Sequence, residues 1–315
     1  MAVAADPVPT ERARELVRGG FDTHVHIDPD LIERRVDDVT LLGLFAERGL
    51  AGFLLKSHYV PTAERARVVT RVAPAGVVCK GAITLNRAVG GLNPLAVEIA
   101  GREGARTVWL PTVDAANETA GRVDPKSDPT HPKLPAWAQM QQDLRARGMD
   151  QPPVDVVDGS GRVLPELQQV LEVVAGHGMQ LATGHLGRDE IFAVVDAARE
   201  RGVQDVVVTH PDFPSQALSI EDQLDLVRRG ALMERCFVTF HTEKAPWERM
   251  IEGIRATGAE HNVLSTDLGQ RFNPPVEDGL ALMADRLLDA GFSEDDVRTV
   301  AVTNTRRMAG LEVAG

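Results

Sequence analysis

Short apolar runs alternate with longer amphipathic stretches along most of this chain. Eight of the runs are rich in β-branched and aromatic residues and predict β-strands, at 21–27, 52–59, 77–85, 107–113, 179–183, 205–209, 232–240 and 262–266. The intervening stretches repeat apolar residues at helical spacing, most regularly at Ile191, Val194, Val195 and Ala198. Strands that alternate with helices in this way are typical of parallel βα units.

The number of these βα units indicates the type of fold. Eight units in a chain of 315 residues match the count and size of an α/β fold of the (β/α)₈, or TIM-barrel, type. A doubly wound open sheet is the structural alternative. The alternation pauses at about 115–162, a stretch interrupted by several prolines, which predicts a lid-like insertion after the fourth strand. Residues 1–315 are therefore expected to form a single barrel domain.

Local end signals refine this pattern. Thr62 is the predicted N-cap of the helix after strand two, and Ser219 with Asp222 resembles a capping box. Residues 155–163 predict a small hairpin that closes the insertion, with its turn at 159–161. Helices near 247–257, 276–290 and 294–308 are predicted to complete the chain.

Composition and charge narrow the function classes. Hydrophobic residues make up 43% of the chain and charged residues 25%, as in ordinary globular proteins, and no stretch reaches the roughly 18 apolar residues of a membrane span. The net charge of −12 and the single tyrosine disfavour nucleic acid and anionic membranes as partners. Cys79 and Cys236 lie far apart and no signal peptide is evident, which favours a cytoplasmic protein. A small-molecule substrate is expected. The sequence leaves open whether the chain forms a homo-oligomer.

The strongest chemical motif is Asp22-Thr23-His24-Val25-His26-Ile27-Asp28 on the first predicted strand. Residues i and i+2 of a strand face the same side, so the His24 and His26 imidazoles are directed at one point. Two such imidazoles are the usual start of a zinc, iron or manganese site, although His-x-His also occurs on ordinary sheet faces.

Further polar residues follow the other strands, at the barrel end where catalytic residues lie. They are Lys56, His58, His185, His210, His241 and Asp267. Six of the nine histidines thus gather at one mouth, whereas unrelated histidines would scatter. The remaining three, His131, His177 and His261, do scatter in that way.

This set resembles the amidohydrolase superfamily, whose hallmark is a metal centre in such a barrel. The resemblance implies His24 and His26 as ligands on strand one, His185 and His210 after strands five and six, and Asp267 after strand eight. The closing helix at 304–311 is similar to that of many members, and the segments 55–59, 85–94 and 182–185 resemble a poorly characterised group of bacterial amidohydrolase-like proteins. The implied cofactor is one or two divalent ions per chain, with zinc as the first choice and manganese or iron as alternatives.

One departure from the superfamily concerns the bridging ligand. Strand four, at 107–113, offers neither the lysine nor the glutamate that usually joins two metals there. Some members take the bridging ligand from strand two instead, and this chain has Lys56 there. A lysine carbamate could join two metals, because it has two anionic oxygens. The alternatives are an unmodified Lys56 that holds a substrate anion, and His58 as the ligand in its place.

Four residues are candidates for substrate binding: His58, Arg87, Glu234 and His241. Arg87 suits a substrate carboxylate or phosphate, or is a solvated loop charge. Glu234 is a carboxylate on strand seven that otherwise pairs with Arg235 or Lys244, and His241 is otherwise a loop histidine in water. Trp137 and His131 of the insertion either cover the substrate or belong to a surface loop.

The implied activity is metal-dependent hydrolysis of a C–N bond in an amide, lactam or related cyclic amide. A metal-activated water attacks, Asp267 takes its proton and delivers it to the leaving group, and His210 polarises the carbonyl oxygen unless it binds metal. A phosphoester or lactone hydrolase, a metal-dependent non-oxidative decarboxylase and a metal-stabilised binding protein are the alternatives.

Overall fold

Eight parallel strands occupy the centre of the molecule, in a computed structural model that describes residues 6–120, 136–149 and 152–312. The strands are β1 Phe21–Val25, β2 Gly52–Leu55, β3 Val78–Thr84, β4 Ala105–Trp109, β5 Gln180–Ala182, β6 Val206–Val208, β7 Leu232–Cys236 and β8 Asn262–Ser265. They pair in sequence order, and the edge strands meet where His26 N donates to Leu268 O and Asp267 N to His24 O, both at 2.8 Å. The predicted (β/α)₈ barrel is confirmed, and the open-sheet alternative is excluded.

The helices of the described ranges surround this barrel. They are α1 Glu11–Leu16, α2 Asp38–Glu47, α3 Ala63–Arg71, α4 Pro94–Arg102, α5 Ala116–Ala120, α6 Ala136–Ala146, α7 Pro165–Gly176, α8 Arg188–Glu200, α9 Ile220–Arg228, α10 Phe237–His241, α11 Trp247–Thr257, α12 Gly279–Asp289, α13 Glu294–Arg298 and α14 Asn304–Ala309. A π-helical turn at Thr299–Thr303 joins α13 to α14, and short 3₁₀ turns cover Arg87–Val89, Ala259–His261 and Val276–Asp278. Among these elements, none is both long and apolar enough to cross a bilayer.

The two faces of each strand have different neighbours. Outward side chains such as Phe53 and Val108 pack under the helices in the two largest apolar clusters. Inside the barrel, Phe21, Leu54 and Trp109 pack together, and Ala309 of α14 joins them. Because this apolar layer lies below the strand ends, the polar residues that follow the strands rest on a close-packed floor.

Strand ends and one helix cap differ from the prediction. Residues 237–240, predicted as the end of strand seven, form α10 instead, because Phe237 and Phe240 are buried in the apolar cluster beneath the helices. Thr62 precedes α3 but makes no side-chain cap, since its hydroxyl donates to Leu55 O at 2.7 Å. The capping box of Ser219 and Asp222 is confirmed at the start of α9.

The insertion is only partly irregular. Its described residues include α5 and α6, and Val157 pairs with Val163 in an antiparallel bridge that confirms the small hairpin. Arg87, predicted to meet a substrate anion, donates from Nε to Pro152 O at 2.8 Å and from Nη2 to Pro153 O at 2.6 Å. Its guanidinium therefore holds the chain where the insertion rejoins the barrel, and a substrate contact stays a prediction.

Candidate metal centre

Five imidazoles form a closed ring at the mouth of the barrel. In order around the ring they are His24, His26, His58, His185 and His210, and adjacent ring centroids lie 5.5, 4.9, 6.3, 5.5 and 5.4 Å apart. The structure thus brings together five of the six histidines that the sequence places at strand ends. The sixth, His241, stacks on Phe237 at 4.9 Å, away from this ring, and its predicted substrate contact stays a prediction.

Asp267 reaches into the ring of imidazoles. Its Oδ1 lies 3.1 Å from His24 Nε2 and 3.1 Å from His26 Nε2, and its Oδ2 lies 3.6 Å from His210 Nε2. Donors at about 2.1 Å from one cation are separated by about 3.0–3.4 Å in octahedral or tetrahedral coordination. The two distances of 3.1 Å fall in this range, so the spacing of His24, His26 and Asp267 fits a shared divalent cation.

The backbone at two of these residues is strained. His210 has φ of 50° and Asp267 φ of 52°, in the left-handed region that non-glycine residues seldom adopt. Such conformations cost about 1–3 kcal/mol each and concentrate at functional sites. The two residues that the sequence predicts as catalytic are therefore held at the mouth in a backbone conformation that is locally unfavourable.

Two glycines make room for the loops that carry the ligands. A Cβ on Gly184, which has φ of 62°, would lie 2.3 Å from Leu110 O, directly before His185. A Cβ on Gly269 would lie 1.5 Å from His26 O. Only glycine permits the main chain to pass this closely beside the site.

Glu234 supports His24 from below. Its Oε1 lies 3.0 Å from His24 Nδ1 and accepts from Ser265 Oγ at 2.9 Å, and the residue is buried. Burial raises the pKa of Glu234, but His24, His210 and Lys56 together outweigh burial and bring the pKa to about 2, so the carboxylate is ionised. A carboxylate on Nδ1 fixes the ring and leaves Nε2 free to bind a metal. The predicted contact of Glu234 with substrate stays a prediction.

Lys56 is buried at the same level. Its Nζ lies 2.8 Å from His24 Nε2 and 5.0 Å from the centroid of the Trp109 ring. Burial is the main reason that the pKa of Lys56 is lowered. Only a neutral amine adds to carbon dioxide. The lowered pKa therefore makes carbamate formation on Lys56 more favourable than on a lysine exposed to water.

Two residues of the site were missed by the sequence interpretation. Glu118 of α5 brings Oε1 to 3.1 Å from His185 Nδ1, and Arg34 brings Nη2 to 3.5 Å from His26 Nδ1. Arg34 lies in the acidic loop after β1, and its position after a strand could have marked it as a site residue. Glu118 lies on a short helix of the insertion, where no periodic pattern marks it. His131 lies outside the described residues, as does the side chain of Trp137.

Three buried polar atoms of the ring of imidazoles and Glu234 lack a hydrogen-bond partner among the described residues, namely His185 Nδ1, His210 Nδ1 and Glu234 Oε2. Burial is the main cause that lowers the pKa of His210 to about 3, so the ring is neutral. Polar groups left incomplete in a buried site are expected where a ligand completes them. The donor set of imidazoles and carboxylates, together with these incomplete atoms, fits a metal ion.

Solved structures with the same fold cover nearly the whole chain. A metallopeptidase described as dipeptidase AC has a TM-score of 0.58 at 13% identity over 93% of this chain and 98% of that chain. An amidohydrolase from Pseudomonas aeruginosa gives 0.56 at 12% identity over 95% and 99%. One from Mycoplasma synoviae gives 0.52 at 12% over 97% and 92%. These likenesses confirm the barrel fold that the resemblance to the amidohydrolase superfamily implies.

Sequence comparison adds a family. No functionally curated protein matches the chain. A family model described as a family of unknown function, DUF6282, matches residues 19–234, which is well over half of the chain. The chain therefore belongs to the DUF6282 family.

Proposed function

We propose that this protein is a metal-dependent hydrolase that cleaves a C–N bond in an amide, lactam or related cyclic amide of a small molecule. The observation that carries the proposal is the convergence of His24 Nε2 and His26 Nε2 on one oxygen of Asp267, each at 3.1 Å. Of the three similar structures reported above, two are described as amidohydrolases and one as a dipeptidase, which supports C–N cleavage.

The cation has a defined set of holders. His24, His26 and Asp267 would hold the first ion. His210, which is the neighbour of His24 in the ring of imidazoles, and His185 beside it would hold a second. When bound, a divalent cation supplies an acidified water and an electrophile for the scissile carbonyl. Zinc suits the imidazole and carboxylate donors best, with manganese or iron as alternatives.

The side chains perform the proton transfers. Burial raises the pKa of Asp267, but its contacts with His24 and His26 outweigh burial and hold the pKa well below its usual range. Asp267 is thus ionised, accepts a proton from the attacking water at a carboxylate oxygen and returns it to the leaving nitrogen. Neutral His210 polarises the carbonyl oxygen in a site with a single ion, and binds metal in a site with two.

Metal content tests the centre. We expect as-purified protein to contain divalent metal, and a His24→Ala/His26→Ala variant to lose it while circular dichroism shows a folded barrel. A His177→Ala/His261→Ala variant is the matched control and should keep its metal, because these two rings contact Glu98 and Glu260 away from the mouth. Full metal occupancy in the first variant would overturn the proposal.

Stoichiometry decides the role of Lys56. If Lys56 is a carbamate bridge, two ions bind per chain and Lys56→Ala loses at least one, with partial rescue by bicarbonate or short carboxylates. One ion at saturating supply would instead indicate an amine that holds a substrate anion.

A substrate panel tests the reaction. Protein loaded with zinc, manganese or iron should hydrolyse members of an amide, lactam and cyclic-amide set. Turnover confined to phosphoesters or lactones, or release of carbon dioxide from a carboxylic acid, would replace the C–N assignment by one of those reactions.

A further inference from the structure

A buried hydrogen-bond chain connects three loops of the barrel mouth and ends on His58. It runs from Asn86, after β3, through Thr112, after β4, to the His58 ring, after β2. Asn86 and Thr112 are fully buried and His58 is nearly so. Every polar atom in such a chain needs a defined donor or acceptor role, because water cannot supply a missing partner.

The main chain determines the orientation of the Asn86 amide. Its Oδ1 accepts from Thr112 N at 2.8 Å and from Asp114 N at 3.3 Å, and its Nδ2 donates to His58 O at 2.9 Å. A backbone N–H can only donate and a carbonyl can only accept. In the reversed orientation, the two backbone N–H groups would face an NH₂ group, which cannot accept their hydrogen bonds. Nδ2 must therefore also be the donor to Thr112 Oγ1 at 2.8 Å.

The amide in turn determines the direction of the Thr112 hydroxyl. Its oxygen already accepts from Asn86, and its own hydrogen needs an acceptor. Among the described residues, His58 Nδ1 at 2.8 Å is the remaining polar atom in reach. If Nδ1 carried a proton, the buried hydroxyl hydrogen would have no acceptor, a cost of about 1–3 kcal/mol. Nδ1 therefore accepts, and in the neutral ring the proton is on Nε2.

His58 Nε2 has no hydrogen-bond partner within the described chain, and its ring lies between those of His26 and His185. A nitrogen that carries a proton cannot bind a metal, but it can donate a hydrogen bond. We propose that His58 is not a metal ligand and donates Nε2–H to a substrate oxygen beside the metal centre, with Thr112 and Asn86 as the positioning residues that set its tautomer.

This role deepens the proposed function and rests on it. A neutral imidazole that donates a proton in a hydrogen bond stabilises an oxygen that gains negative charge during acyl transfer. The substrate group it suits is the oxygen of the scissile amide.

The tautomer can be measured without a substrate. Protein labelled with ¹⁵N-histidine is examined by long-range ¹H–¹⁵N NMR, and the His58 signals are assigned by their loss in His58→Gln. We expect a protonated Nε2 and an unprotonated Nδ1, both before and after saturation with Zn²⁺. A proton on Nδ1, or loss of the Nε2 proton when Zn²⁺ is added, would overturn the proposal.

Variants of Thr112 test the positioning role. Thr112→Val has nearly the same shape but no hydroxyl, and should convert His58 to a mixture of both tautomers. Thr112→Ser keeps the hydroxyl and should show the wild-type tautomer. An unchanged tautomer in Thr112→Val would mean that the hydroxyl does not set it. Zinc content of the same samples separates the two hypotheses, since an empty centre refutes the proposed function and a wrong tautomer with full zinc refutes only this inference.

Kinetics add a functional readout once the panel identifies a substrate. His58→Leu should lower kcat by about 10²–10³-fold, the effect of losing one such donor, with zinc content unchanged. His58→Gln keeps a side-chain N–H and should recover part of that loss. Loss of zinc in His58→Leu would identify His58 as a ligand and refute the proposal.

Discussion

Glu234 and Arg235 are consecutive residues of β7, and both are buried, yet they lie in opposite kinds of environment. Arg235 faces outward, where its guanidinium donates to Asn262 Oδ1 at 2.8 Å, Asp212 Oδ2 at 2.5 Å and Gln223 Oε1 at 2.8 Å. Each of its nitrogens has a partner. A buried charge completed in this way serves the stability of the barrel wall.

Glu234 faces inward and is incomplete. One of its oxygens contacts His24 and Ser265, while Oε2 has no hydrogen-bond partner among the described residues. The comparison separates two uses of buried charge on one strand. The outer network around Arg235 has all its hydrogen bonds without a ligand. The inner cluster around Glu234 has an unpaired buried oxygen, which is the arrangement expected at a site that binds a ligand.

The largest expected effect lies in the inner cluster. Asp267→Asn keeps size and shape but removes the basic oxygen, so turnover of a substrate should fall by roughly 10²–10⁴-fold, the range for loss of a general base. Thermal unfolding should be near normal. Asp189→Asn on the exposed start of α8 is the matched control. Wild-type turnover in Asp267→Asn would place the proton acceptor elsewhere, with Glu234 as the next candidate.

The outer network should respond in stability and not in metal binding. Arg235→Met leaves the Asp212 carboxylate buried without its main partner, and the free energy of unfolding should fall by about 3–5 kcal/mol in urea titrations. Metal affinity of the folded fraction should not change. Arg188→Met breaks an ion pair of an exposed guanidinium and should cost far less. Equal costs for the two variants would contradict the structural role of Arg235.

Glu234→Gln should show the opposite behaviour. The amide oxygen still accepts from His24 Nδ1, but the negative charge that strengthens the ring as a ligand is lost. We expect metal affinity to fall by about 10–100-fold in chelator competition, with little change in unfolding free energy. Glu248→Gln, at an exposed position, is the control. A large loss of stability with unchanged metal affinity would make Glu234 a second structural charge like Arg235.

The smallest effect is expected from the Ser265 hydroxyl that donates to Glu234. Ser265→Ala removes the hydrogen bond of 2.9 Å to Glu234 Oε1, worth about 0.5–1.5 kcal/mol. Metal affinity should fall several-fold, less than in Glu234→Gln. A loss larger than that of Glu234→Gln would show that Ser265 acts on the centre by a route other than this carboxylate.

The alternation of side chains along a strand and the parallel order of the strands explain why most of the histidines at the mouth were predicted correctly. His24 and His26 share a face because they are two residues apart, and strand ends meet at one mouth because the strands are parallel. Neither inference needs a contact distant in sequence. His241 fails the same reasoning, because residues 237–240 favour a strand by composition and form α10 under the influence of their packing.

Contacts between distant segments could not be predicted in this way. Glu118 reaches His185 only through the path of the insertion, and the His58 tautomer depends on Asn86 and Thr112, from two other loops. Proton positions follow from complete sets of donors and acceptors, and such sets exist only when all the partners are folded together.

The sequence alone determined that this chain builds eight parallel βα units and carries histidines and an aspartate at their ends. It did not determine which of Glu234 and Arg235 enters the barrel, since a strand with two adjacent charges can present either one inward. The tertiary structure decided this. Partners for the guanidinium come from Asp212 and Asn262, outside the wall, and the partner for the carboxylate is His24, inside it. A buried charge takes the side on which its partners lie.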